Sequence, residues 1–242
     1  MNKKGKIVVG ISIGDINGVG IEVILKTFED KRMLDFCTPL LFGSSKVIAA
    51  HKKTLNIETH IHEIKSIQQI KEGQINLLTV WDEEVKLELG NATKTGGQYA
   101  FKSLNEATKA LKKDEIDLLI TAPINKETIQ SEEFNFSGHT EFLEHNLAGE
   151  SLMILMNDFL RIGLITGHIP ISKIAESITP ELIESKVNIL NKSLKQDFNI
   201  NKPKIAVLGL NPHSGDNGVI GEEENNLIKP TIQSIYEKGV FV

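Results

Sequence analysis

Two short turns hold the residues with the most chemistry in them. Ile165-Thr166-Gly167-His168-Ile169-Pro170 and Leu208-Gly209-Leu210-Asn211-Pro212-His213-Ser214-Gly215 each place a histidine beyond an aliphatic run that reads as a buried strand. In an open α/β sheet, ligands collect at such strand ends. Two imidazoles there point to a divalent metal or a substrate anion. A lone histidine of this kind is more often satisfied by a backbone carbonyl; the repeated context is what speaks for a shared role. Asp216 and Glu222–Glu224 lie close to His213 in sequence and could add oxygen ligands, but such acids also serve as turn formers and as the first turn of a helix. A catalytic metal usually takes three protein ligands, and no convincing third is evident.

Three further segments have the spacing of anion-binding loops. Ser12-Ile13-Gly14-Asp15-Ile16-Asn17-Gly18-Val19-Gly20-Ile21-Glu22 follows a strand and opens a helix, the setting in which backbone N–H groups approach an anion. Its glycines do not follow the dinucleotide-binding spacing, and on spacing alone a tight turn with positive φ is the favoured account of them. Thr121-Ala122-Pro123-Ile124-Asn125-Lys126 ends in a lysine that could bind a phosphate or carboxylate, or simply be solvated. In Phe136-Ser137-Gly138-His139-Thr140-Glu141-Phe142, His139 and Thr140 offer two side chains at a helix start. The alternative is a surface histidine beside a threonine cap.

The elements that must position these loops alternate. Strands are expected at 7–13, 38–42, 56–64, 75–80 and 116–120, and helices at 20–29 and 44–51. A long helix opens at Gly96-Gly97, with Ala100, Phe101, Leu104, Ala107 and Leu111 on one stripe. Thr140–Leu147 reads as helical, and Leu152–Met156 and Leu160–Thr166 as a hairpin about Asn157-Asp158-Phe159. Thr179-Pro180-Glu181 is a helix start with a cap, a first-turn proline and an acid. Lys204–Leu210 reads as a strand, and Glu222–Lys238 as a helix closed by Gly239. The alternation predicts an α/β fold with a mainly parallel sheet. The closing Val240-Phe241-Val242 resembles the start of a strand, which raises the expectation that a C-terminal portion is missing.

Composition bounds the rest. With 242 residues there is chain for one large or two modest domains. A balance of 27 Lys+Arg against 32 Asp+Glu argues against nucleic acid or an anionic membrane as the main partner. One cysteine, Cys37, excludes an intrachain disulfide and sits in an apolar stretch as a core residue. No run reaches the length of a membrane span, no signal sequence is evident, and a cytoplasmic location is expected.

Together the segments 12–22, 121–126, 137–142, 164–175, 209–215 and 221–224 resemble the 4-hydroxythreonine-4-phosphate dehydrogenase family of pyridoxal 5'-phosphate (vitamin B6) synthesis. They occur in the family's order and span nearly the whole chain. The resemblance implies a fold like that of the isocitrate and isopropylmalate dehydrogenases, with two α/β regions flanking a cleft. The first, 1–130, would be completed by the missing C-terminal segment. The second, 131–242, would carry the metal histidines and the dimer contacts.

The resemblance also implies NAD- or NADP-dependent oxidation of 4-phosphohydroxy-L-threonine and decarboxylation to 3-amino-2-oxopropyl phosphate, in a homodimer with shared active sites. Carried over residue by residue, His139 and Thr140 fall on substrate-binding positions, and His168 and His213 on ligands of a divalent metal. Zinc suits the histidines, with magnesium, manganese and cobalt as alternatives. Lys126 remains an anion-binding candidate, and no catalytic acid or base is assigned. Asn125 stands where the family often has histidine. The family's third metal histidine, in a His-Asp-Gln-Gly motif, is absent, so the chain alone is expected to be inactive. The rival readings are a 4-phospho-threonate dehydrogenase of the same family and a non-catalytic metal- or phosphate-binding remnant.

Overall fold

The computed structural model describes residues 5–242. They form two compact units, one ending at Gly149 and the other running from Glu150 to Val242.

The first unit is built on a five-stranded sheet in the order β3-β4-β2-β1-β5. Its elements run β1 (Ile7–Ser12), α1 (Gly20–Glu29), the single turn α2 (Met33–Phe36), β2 (Cys37–Gly43), α3 (Ser45–Leu55), β3 (Ile61–Ile64), β4 (Ile75–Thr79), α4 (Lys94–Lys112), β5 (Leu118–Thr121) and α5 (His139–Asn146). Every pairing is parallel. β2 is buried at every position, as a strand covered on both faces must be.

The pleat divides its side chains between two layers. Leu41 packs with Ile21, Leu25, Val47 and Ile48 of α1 and α3. Leu40 and Phe42 pack with Ala107 and Ala110 of α4. Each such side chain contributes roughly 1.5–3 kcal/mol by leaving water. Cys37 is buried, and burial pushes its thiol pKa up.

Connections from β1 lead to β2 on one side, and the chain later returns as β5 on the other. The crevice between β1 and β5 is therefore the switch point of the sheet, where open α/β folds bind ligands. The segment 131–149, grouped by the sequence reading with the second region, packs here on α4. Phe134 and Phe142 form one cluster with Ala100, Leu104 and Ile129.

The second unit contains the hairpin β6 (Ile154–Met156) and β7 (Arg161–Gly163), paired antiparallel as expected. Asn157 shapes its turn, its Oδ1 accepting from the N–H groups of Phe159 and Leu160. The single turn α6 (Ile174–Ser177) precedes α7 (Pro180–Gln196), and α8 (Lys229–Glu237) follows a five-residue π turn at Glu224–Ile228. Ile183 and Val187 of α7 pack on Ile228 and Ile235. Thr179 caps α7, accepting from Leu182 N at 3.2 Å. Gly239, at φ +90°, closes α8 as its spacing indicates.

The expected strand 204–210 is a correction. The segment pairs in no ladder, because no neighbouring strand is present among the described residues. Ile205 N donates to Phe241 O at 2.9 Å, near the chain end. Ile205, Val207 and Leu210 pack on the helices, while Leu208 faces outward, 83% exposed.

Candidate active site

In the first unit the candidate residues gather from three loops at the carboxyl end of the sheet. The loop after β1 is fixed by the loop after β5. Asp15 N donates to Pro123 O, and Ala122 N to Ser12 O, both at 3.0 Å. Gly14 stands at φ +71°, and a Cβ there would lie 2.3 Å from Pro123 O. Only glycine fits both demands.

Asp15 and Asn17 are buried polar residues in this loop. Asp15 Oδ1 accepts from Asn17 N at 2.9 Å. Asn17 Oδ1 accepts from Glu88 N at 2.8 Å, and its Nδ2 donates to Thr93 Oγ1 at 2.9 Å. Asn17 thereby ties the β1 loop to the segment leading into α4. Thr93 caps that helix through Gly96 N. His51 is also buried and donates from Nε2 to Ile16 O at 2.8 Å.

Gly96 and Gly97 lie inside the first turn of α4 rather than at its opening. A Cβ on Gly96 would stand 2.5 Å from Asp15 Oδ1, and one on Gly97 2.0 Å from Thr128 O. The pair exists so that two loops can approach the helix.

Asn125 is engaged as a local cap, its Oδ1 accepting from the N–H groups of Glu127 and Thr128 at 3.0 Å. Lys126 is exposed and reaches toward Gly138, whose Cβ position would be 3.8 Å from Lys126 Cε. His139 follows at the first position of α5. The N-cap of α5 is Gly138 and no side chain caps it, so Thr140 is not the cap of its own helix. α5 is seated by aromatic packing. Phe142 stacks on Phe134 at 5.3 Å between ring centroids and meets Phe101 and Phe136 edge-on.

His139 is half-buried, and its buried Nε2 has no hydrogen-bond partner among the described residues. Burial first, and the Lys126 ammonium second, push its pKa below 6.5. At neutral pH the ring is therefore an uncharged group with an unfilled hydrogen-bonding position beside a cation. That is a reasonable receptor for a polar substrate group, with Lys126 supplying positive charge.

The second unit carries the two other histidines, both exposed. His168 lies in the loop that follows β7, ahead of the short turn at Ile171–Lys173. His213 lies in a turn of unusual backbone. His213, Ser214, Gly215, Asp216 and Asn217 have φ of 53°, 53°, 77°, 45° and 58°. Imidazole is a ligand type that suits zinc and its neighbours. No group of three or more His, Cys, Asp or Glu side chains is placed to hold an ion among the described residues.

Glu224 is not available as a ligand in the way its sequence position suggests. It is 2% exposed, and its oxygens accept from Asn211 N at 2.6 Å and Asn211 Nδ2 at 3.0 Å. Those bonds hold its carboxyl below the usual carboxylate range.

Fold and loops together define an α/β protein whose candidate binding residues cluster at the carboxyl end of a parallel sheet, with two exposed histidines in a second unit. The chain belongs to the family of the pyridoxal phosphate biosynthetic protein PdxA, whose model matches residues 35–242. It is 46% identical over 241 residues to a 4-hydroxythreonine-4-phosphate dehydrogenase of Bacteroides thetaiotaomicron, covering 99% of this chain and 66% of that protein. A Fusobacterium nucleatum relative named "Putative D-threonate 4-phosphate dehydrogenase" is 32% identical, over 97% of this chain and 71% of its own. The crystal structure of a 4-hydroxythreonine-4-phosphate dehydrogenase from Burkholderia phymatum superposes with a TM-score of 0.85 at 30% identity, covering 99% of this chain and 73% of that one. The α/β fold is thus shared, and the chain spans about two thirds of the length of the relatives it matches.

Proposed function

We propose that this chain forms the larger part of a dehydrogenase that oxidises 4-phosphohydroxy-L-threonine with NAD or NADP in vitamin B6 synthesis. A bound nicotinamide would supply the hydride acceptor for oxidation of the secondary alcohol, whose proton would pass to solvent. The resulting β-keto acid then loses carbon dioxide to leave 3-amino-2-oxopropyl phosphate. The observation that carries this reading is the 46% identity, along 99% of the chain, to a relative of that name.

His139 and Thr140 bind the substrate. The unfilled Nε2 of His139 takes a hydrogen bond from or to a polar substrate group, and Lys126 adds charge for an anionic one. The fixed β1 and β5 loops exclude water from one wall and keep these groups oriented. His168 and His213 would hold a divalent cation, zinc, magnesium, manganese or cobalt. Such an ion supplies Lewis acidity toward an alcohol and an enolate. With two ligands in hand the chain holds it weakly.

A homodimer is part of the proposal. The β6–β7 hairpin leaves Leu155, Met156, Phe159 and Leu160 exposed, an apolar patch of the kind a second copy covers. No helix among the described residues is long and apolar enough to cross a membrane, which is compatible with the proposed cytoplasmic location.

The test is a paired assay of NAD and NADP reduction, metal supplied, with the 242-residue chain and with a version extended to the length of its relatives. The extended protein should turn over phosphohydroxythreonine, and the short chain should not. Preference for 4-phospho-threonate would move the assignment to the sister activity. Metal or phosphate binding without turnover by the extended protein would support a non-catalytic role instead.

A further inference from the structure

We propose that Glu224 is the positioning residue that holds the left-handed turn carrying His213, and so sets where that imidazole stands. The inference rests on the reading of His213 as a metal ligand for its functional meaning, but not for its structural part.

The turn needs an external brace. Residues 213–217 all lie at positive φ, and four of the five are not glycine. L-residues enter this region singly, not in runs. Such backbone persists only where its surroundings over-determine it. Bonds at the ends of the turn run from Ser214 N to Asn211 O at 3.1 Å, from Val219 N to Asp216 O at 3.2 Å and from Ile220 N to Gly215 O at 3.1 Å.

Glu224 supplies the brace from below. It begins the π turn ahead of α8 and is the buried carboxylate of this unit, 2% exposed. One oxygen accepts from the Asn211 backbone at 2.6 Å and the other from the Asn211 side chain at 3.0 Å. Asn211 Nδ2 also donates to Glu223 at 2.7 Å.

The carboxylate lies close to the backbone at two more points, where only glycine leaves it room. A Cβ at Gly209 would lie 3.3 Å from Glu224 Oε1, and one at Gly215 2.9 Å from Oε2 and 2.3 Å from Gly221 O. The entry and the middle of the turn are thus both moulded on one buried side chain. A buried carboxylate is kept because it is paired by N–H donors, and here the donors belong to the residue two positions before His213.

The experiment compares the full chain with its Glu224→Gln variant. Amide hydrogen exchange, measured without metal, should speed at least tenfold at Ser214, Val219 and Ile220 and stay unchanged in α7. Cobalt titration followed by its visible absorption should show at least tenfold weaker binding and an altered spectrum. His213→Ala should abolish that same spectral component.

Unchanged exchange in the turn of a folded Glu224→Gln protein would overturn the proposal. If Glu224→Gln fails to fold, Asn211→Ala removes the side-chain half of the same contact and should loosen the turn in the same sense. Loosened exchange with cobalt binding identical in wild type and His213→Ala would support the brace and overturn the ligand reading. Those two failures are therefore distinguishable.

Discussion

Gly14 and Pro123 sit in loops that follow strands far apart in sequence, yet a Cβ on Gly14 would lie 2.3 Å from the Pro123 carbonyl oxygen. That oxygen already accepts from Asp15 N at 3.0 Å. Gly14→Ala therefore cannot be absorbed. The left-handed φ alone costs about 1–2 kcal/mol, and the overlap adds to it. The variant should show a lower urea midpoint with little change in slope, and weakened substrate binding. A midpoint within error of wild type would remove Gly14 from this role.

Asn17 should be the most sensitive polar residue of the same loop. Asn17→Ala leaves Glu88 N without its acceptor and takes one of two donors from Thr93 Oγ1, which keeps Gly96 N. An unsatisfied buried group costs about 1–3 kcal/mol. Chemical denaturation of the variant measures it.

His139 gives a pH signature. Its pKa is below 6.5 in the folded protein, through burial and then through Lys126. An unfolded chain takes up the proton near pH 6.5, while the folded one does not until lower pH. The unfolded state thus binds more protons in that window, and stability falls as pH drops from about 6.5 toward the folded value. His139→Gln should flatten this part of the Tm-against-pH curve. Lys126→Ala should raise the His139 NMR titration midpoint only partly, since burial is the larger cause. A full return to the ordinary value would reverse that order.

The four candidate side chains should separate by readout. His168→Ala and His213→Ala should lower metal content, whereas His139→Ala and Thr140→Ala should raise substrate KM and spare the metal. Metal analysis beside steady-state kinetics in the extended protein decides. Equal occupancy in all four would erase the division.

Phe134→Ala should cost about 3–5 kcal/mol, as large aromatic truncations do. It removes the ring on which Phe142 stacks and so frees α5 and His139. Loss of substrate affinity beyond the loss of stability, seen at a temperature where the protein remains folded, is the expected result.

Local chemistry was legible in the sequence where a residue acts on its own neighbours. Thr179 caps α7 and Gly239 closes α8, as their positions indicate. The alternating aliphatic runs likewise mark the parallel strands of the first unit. What the sequence hid depends on distant approach. Gly96-Gly97 looks like a helix opening, but serves contacts with Asp15 and Thr128. Glu224 looks like one acid among three, yet only the folded chain brings Asn211 onto both its oxygens. The run 204–210 has the composition of a strand, and composition does not reveal whether a neighbour exists to pair with it. His51 carried no sequence signal at all, because its partner is a backbone carbonyl.

The order of assembly follows from where β5 stands. β1 is the start of the described chain, yet one side of it waits for β5, and Val8 N is paired by the Asp117 carboxylate across a separation of 109 residues. Contacts so distant form slowly, because the intervening chain must first close. During synthesis at about 5–20 residues per second, a chain that has emerged only through α4 has its β1 and β2 but no second wall for the crevice. His139 comes later still. The β1–β5 crevice therefore exists only once the unit is complete, and a half-made chain presents no such crevice.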